Sequence, residues 1–469
     1  MRTQVFFAST LYGAATLAAA LDHGCFQPAD QRLLLVSNNA GNPETTPALD
    51  AMPGFARLRT RFDRVLSWNA AIRPFHPGGW SPRADDVPLW ERHLRLLWGL
   101  GEQGADEVEL ALESLQVDPA LALARIFVDA PLDVYADGLM SYGPTRDRLD
   151  PQIGTRVRRL LHLDLLPGLE PLLLSEFGVP AEVVPSTAVR PVLAELAREA
   201  PTSVTELPSG GALLLGQYLS ALGILSAGEE ESLHLRMLRG VTQLGYRSVV
   251  FKPHPVAPPA VSRALEREAG DLGVELAVVR EPVLAEVLYE RARPALVAGC
   301  FSTALLTASA LYGLPAARTG TGLLLERVAP YQNSNRVPVT LVDAVLPEIA
   351  ELPPESGLLA AGARGTAAAG AAGPDGRDAD ELTGLLRAVG FCMQPALYPG
   401  LRAEAERYLT HRLTPGSRRY FKRRRLTVLG LPGGVPRRLA FVPRNRAVRR
   451  VARRVRAVRR AARGRTARG

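Results

Sequence analysis

"YRSVVFKPHP", residues 246–255, decides the fold. Its apolar run has the length and composition of a strand buried on both faces. The run stops at Lys252-Pro253-His254-Pro255, where the prolines fix the backbone and delay a following helix until about Pro258. The chain has only two lysines, Lys252 and Lys422, and seven histidines, so the pairing of Lys252 with His254 is conspicuous. The carboxyl end of a parallel strand is where open α/β sheets receive ligands. A histidine there can hydrogen-bond or protonate a phosphate oxygen, with Lys252 supplying charge. A proline-flanked histidine can equally close a strand for structural reasons alone.

Outward from this stretch the second half alternates strand and helix. "ALLLGQYLS" (212–220), "VELAVV" (274–279) and "PALVAG" (294–299) read as strands. Helical patterns fill 227–245, 258–273, 282–292 and 302–313. The first half repeats the rhythm less cleanly. Strands are expected at "TQVFFAS" (3–9), "RLLLVSNN" (32–39), "DRVLSW" (63–68), "EVELALES" (107–114) and "ARIFVDA" (124–130). A helix is expected over 86–101 with Leu89, His93, Leu96 and Leu97 on its apolar face. The fold class is therefore α/β, two Rossmann-like doubly wound domains facing a cleft, over 1–175 and 176–350. The N-terminus could pass for an export signal, but Ser9, Thr10 and Gly13 interrupt its apolar run, which favours strand, loop and helix.

The end of the chain differs. An Ala/Gly-rich linker covers 351–379, helical patterning returns over 380–412, and 413–469 reads as an arginine-rich tail. Residues 401–469 carry 23 of the 56 Lys and Arg but 2 of the 47 Asp and Glu, so a cationic arm follows an acidic body. Within 444–463, Val448, Val451, Val455, Val458 and Ala462 form a narrow apolar stripe. Three scattered cysteines without a CxxC pair exclude a disulfide framework and a zinc cluster, and fit a reducing compartment.

Two further motifs sit at expected strand ends. Gly299 turns a strand into a helix that starts with Ser302 and Thr303, an anion site of free amides, helix dipole and hydroxyls. The bland alternative is that Ser302 merely caps its helix. In the first domain Asp137 precedes Gly138, placing a carboxylate able to deprotonate a hydroxyl, or else a plain Asp-Gly turn. Gln217 ends a strand and can reach a nucleotide. Ser9, Thr10, Tyr12 and Asn38 face the expected cleft on the acceptor side, where turn and cap duties explain them nearly as well.

The order "STLYGAA", "YADGLMSYGP", "KPHP", "GCFSTAL", "PYQNSN" resembles the bacterial polysialyltransferase-like family over roughly residues 3–345. The resemblance implies a GT-B fold, a CMP-sialic acid donor, a glycan acceptor, inversion at the anomeric carbon and no metal or other cofactor. By it His254 contacts or protonates the donor phosphate, with Lys252 and Pro255 beside it. Ser302 and Thr303 bind that phosphate, and the acidic-Gly motif supplies the base. The family pattern has two acids before the glycine, whereas this chain has Ala136 and then Asp137, so either Asp137 takes over the base role or the chemistry has drifted. Rival readings are another nucleotide-sugar or polyol-phosphate transferase, or a non-catalytic GT-B-like module. The tail suits an anionic membrane surface, on the cytoplasmic face of the cell membrane, better than a solvated arm, and nucleic acid least.

Overall fold

A computed structural model describes residues 1–101, 106–254, 257–352 and 379–435. The first sheet has seven parallel strands in the order β3-β2-β1-β4-β5-β6-β7. They are β1 (Arg2–Ala8), β2 (Gln31–Val36), β3 (Arg64–Ser67), β4 (Glu107–Glu113), β5 (Leu132–Ala136), β6 (Val157–Leu163) and β7 (Ala181–Val184). The second sheet has five parallel strands in the order β10-β9-β8-β11-β12. These are β8 (Ala212–Leu215), β9 (Ser248–Lys252), β10 (Glu275–Val278), β11 (Leu296–Gly299) and β12 (Ala316–Arg318). Both orders reverse beside their first strand, between β1 and β4 and between β8 and β11. Such a switch point leaves a crevice beyond the strand ends, so each domain has one ready-made ligand position.

Parallel strands are covered on both faces, which is why Val5, Phe6, Phe7, Leu33, Leu34 and Leu35 are all buried. The helix Leu11–Asp22 that follows β1 is almost entirely small and apolar, and it is packed between the sheet and the helix Ser186–Arg198. Small side chains let these layers approach closely.

Several expectations need correction. The run 124–130 is not a strand: Ala120–Ile126 is a helix, and the strand is Leu132–Ala136. A seven-residue run is too short for its periodicity to separate helix from strand. The first domain also continues past 175, because β7 pairs in parallel with β6 up to Val184. The edge strand "AEVV" is too short and too exposed to announce itself. The helix over Val87–Trp98 forms, but Leu89 and Leu96 are 69% and 73% exposed, and the buried side is Glu91, Leu94, Arg95 and Trp98. Glu91 and Arg95 are buried as an ion pair of 2.9 Å one turn apart, which disguises the inner face as polar.

The arginine-rich arm begins later than residue 413. Helices Ala379–Met393, Arg402–His411 and Arg423–Leu429 fold back over both domains, burying Tyr420, Phe421 and Leu426. On the first domain, the Thr145 N–H donates to the Tyr398 hydroxyl at 2.9 Å, and that hydroxyl donates to Glu176 at 2.6 Å. On the second, Tyr331 donates to the Tyr420 carbonyl at 3.0 Å and Lys422 to the Glu326 carbonyl at 2.9 Å. This strap fixes how the domains face each other. Most of the expected linker and the valine stripe lie outside the described residues.

Candidate functional site

The two crevices meet. In the first domain, β1 ends at Ala8, and the Ser9 N–H and hydroxyl both donate to Glu113 Oε2, at 3.0 and 2.6 Å. Glu113 is the last residue of β4, so this contact lies at the switch point itself. Thr10 caps the helix Leu11–Asp22 by accepting from the Gly13 N–H at 2.9 Å. A Cβ on Gly13 would stand 2.9 Å from the Tyr135 hydroxyl and 3.4 Å from Asp137 Oδ2, so only glycine lets the helix start lie this close to β5.

Asp137 follows β5 and is half-buried. Burial, and then the charges of Glu113 and Glu286, push its carboxyl up to about 7, against hydrogen bonds from its own backbone and from Thr10. An aspartate poised near neutrality is suited to accept a proton. Glu286 belongs to the other domain, at the start of the helix Ala285–Ala292, and is held by the Thr307 hydroxyl at 2.6 Å. Burial pushes Glu286 up, opposed by Thr307 and by Lys252. The Tyr12 hydroxyl is buried without a hydrogen-bond partner among the described residues. Burial pushes that phenol up, and the fields of Glu286 and Asp137 reinforce the shift.

Gly138 is a point of close approach between the domains. A Cβ there would lie 3.1 Å from Thr303 Oγ1, and the next amide, the Leu139 N–H, donates to the same oxygen at 3.2 Å. The Asp-Gly pair is therefore more than a turn: it docks the first domain onto the start of the Thr303–Tyr312 helix. Ser302 caps that helix, accepting from the Ala304 N–H at 3.3 Å. Gln217 accepts from the Phe301 N–H at 2.9 Å, so it shapes the loop leading to Ser302 with its carbonyl and keeps its amide NH2 for other use.

Lys252 ends β9, and β9 and β11 flank β8, so their strand ends are two strand spacings apart, about 10 Å. That separation suits a phosphate with attached sugar or nucleoside held between them. Burial lowers the Lys252 ammonium, against Glu286. His254 is exposed, and partial desolvation and then Lys252 push its imidazole down, against Glu230. Pro255 lies outside the described residues. Gly299 ends β11 at the rim of the same crevice, where its carbonyl accepts from the Thr319 N–H at 2.8 Å.

The structure thus brings Ser9, Thr10, Tyr12, Asp137, Gly138 and Thr303 to one junction, and lines Lys252, His254, Gln217, Gly299 and Ser302 along the adjoining sheet edge. Asn38 does something else. Its amide donates to the carbonyls of Pro43 at 3.1 Å and Thr46 at 2.8 Å, and its own carbonyl oxygen accepts from Ala40, so it is spent on its loop. Two acids were missed. Glu113 was legible as an acid at the carboxyl end of an expected strand. Glu286 gave no signal, because an acid in a helix's first turn is ordinary dipole chemistry.

The model of the alpha-2,8-polysialyltransferase family matches residues 4–321. No curated protein matches the chain. Among solved structures, it is similar to UDP-GlcNAc 2-epimerase from Methanocaldococcus jannaschii, at 10% identity and TM-score 0.41, over 68% of this chain and 83% of that one. A sialyltransferase from Photobacterium damselae, represented by its GT-B domain, is similar at 11% identity and TM-score 0.39, over 73% and 96%. MurG of Acinetobacter baumannii is similar at 12% identity and TM-score 0.37, over 76% and 87%. The family match runs from β1 through both crevices and includes every motif at their junction, so the chain belongs to the alpha-2,8-polysialyltransferase family and is a glycosyltransferase of the sialyltransferase type.

Proposed function

We propose that the cleft transfers sialic acid, or a closely related sugar, from its CMP-activated donor to a hydroxyl of a glycan acceptor, by one displacement with inversion. Asp137 takes the proton of the acceptor hydroxyl while that oxygen bonds to the anomeric carbon. The bond from that carbon to the phosphate oxygen breaks, and CMP leaves with the electron pair. Lys252, His254 and the amides at the start of the Thr303–Tyr312 helix meet the charge growing on the phosphate, where preorganised donors act most strongly. The observation that carries this proposal is the Gly138–Thr303 contact. It brings Asp137, whose carboxyl is raised to about 7, beside the helix start of the second domain, which supports a base and a phosphate site in one cleft. Closure at this point also keeps water from the donor.

The proposed transfer is metal-independent, with all charge on the leaving phosphate met by protein groups. Among the described residues no helix is long and apolar enough to cross a membrane. The arginines of 436–469 give a route to an anionic membrane surface, supported by their density and by the valine stripe. Release of CMP from CMP-sialic acid, compared among the native chain, Asp137→Ala and His254→Ala, tests the transfer.

A further inference from the structure

Ala136, the position ahead of Asp137, cannot serve as a second acid, and its surroundings explain why. It is buried in the apolar cluster that contains Leu112, Val134 and Leu160, on the face of the sheet away from the cleft. Tyr135 and Asp137, one residue to either side, point the other way, toward Gly13. The adjacent strand fills the gap. Glu113 is in register with Tyr135, so it projects from the same face and ends its strand beside Asp137.

Glu113 is held in place. One oxygen, Oε2, receives both the N–H and the hydroxyl of Ser9, the two donors that the end of β1 offers. Burial pushes its carboxyl up, against these two bonds from Ser9. We infer that Glu113 is a positioning residue for the transfer: from β4 it sets beside Asp137 the second carboxylate that Ala136 cannot supply. This inference rests on Asp137 being the base.

The other groups that face Asp137 do not replace Glu113. Thr10 and Tyr12, at the start of the Leu11–Asp22 helix, present hydroxyls, as does Tyr135 on β5. Glu286, from the second domain, is the remaining acid; it acts on Asp137 less than Glu113 does and is itself balanced by Lys252. Two carboxyls this placed titrate as a pair, so the acid limb of the rate profile belongs to both.

The test is the pH profile of kcat/KM in Glu113→Gln. Removing the charge moves the acid limb, at about pH 7 in the native chain, down by roughly one unit or more, with KM changed little. Glu113→Asp keeps the charge and keeps the limb within a few tenths of a unit. A folded Glu113→Gln whose limb stays in place overturns the inference. Infrared pH titration of the native full chain, with aspartate or glutamate carboxyls isotope-labelled, decides the same question without a variant that must fold. An aspartate and a glutamate band that titrate together, the aspartate near pH 7, are expected. An aspartate band that titrates without any glutamate partner refutes the pair. Asp137→Asn separates the two claims: if it remains active, Asp137 is not the base, whatever the infrared bands show.

Discussion

Gly138→Ala is the sharpest perturbation of the domain junction. Its backbone, at φ −137° and ψ 177°, is extended and open to any residue, so alanine adds no backbone strain. The effect is steric: the new Cβ sits 3.1 Å from Thr303 Oγ1, a few tenths of an ångström inside comfortable contact. Thr303 opens its helix, so either its oxygen rotates away, giving up the bond from Leu139, or the domains part by a few tenths of an ångström. Parting lengthens the 3.2 Å bond from the Leu139 N–H to Thr303, and a hydrogen bond of that kind contributes about 1 kcal/mol. Misplacement of a base by less than an ångström costs up to about 100-fold in rate, so kcat should fall by roughly tenfold. The melting temperature should stay within about a degree, because Gly138 is half-buried at a cleft rather than in a core. The assay is a double-mutant cycle with Thr303→Ala, which removes the oxygen that the new methyl meets. The two substitutions should couple by about 1 kcal/mol, with Gly138→Ala far milder when Thr303 is alanine. Equal losses in both backgrounds, or no loss at all, would refute the junction as described.

Asp137 should also be visible in stability. Its folded value of about 7 lies above its ordinary value, so its favourable contribution is present at low pH and is lost as pH rises through about 7. Asp137→Asn should therefore raise the melting temperature by a few degrees at pH 8 and by much less at pH 5; an equal shift at both values would contradict the raised carboxyl. The arm should separate from catalysis. A chain ending at Val435 keeps the three-helix strap, so it should retain transfer to a soluble acceptor while losing binding to vesicles containing anionic lipid. Ending it at residue 400 would instead cut away the Tyr420 and Phe421 packing. Vesicle binding by the Val435 chain equal to that of the full chain would dismiss the membrane role of the arm.

What was legible in the sequence follows from how each element is buried. β1 and β9 stand out because strands covered on both faces are continuous apolar runs ending in polar residues, and those ends hold the proposed site. β7 was lost because a short edge strand has one side in water. The inner face of the Val87–Trp98 helix was misassigned because its buried positions include a Glu91–Arg95 pair, while three of its leucines point outward. The motifs carrying Asp137, His254 and Ser302 were readable one at a time, since each is local. Their meeting was not, because it depends on the separation-independent contacts of the fold: Gly138 against Thr303, and Glu113 beside Tyr135. The strap was hidden for another reason. Its arginines look like a solvated arm, yet Arg425 spends its guanidinium on the Cys392 carbonyl at 2.7 Å and Arg419 pairs with Asp343 at 2.8 Å.

The most direct measurement is CMP release from CMP-sialic acid in the presence of sialylated acceptors. The native chain should release CMP only as the acceptor is extended, Asp137→Ala should lose about 100-fold to 10,000-fold in kcat as expected for a missing general base, and His254→Ala should lose rate as well. Absence of CMP release with every acceptor, alongside release of a different nucleotide from another sugar donor, would contradict the assignment.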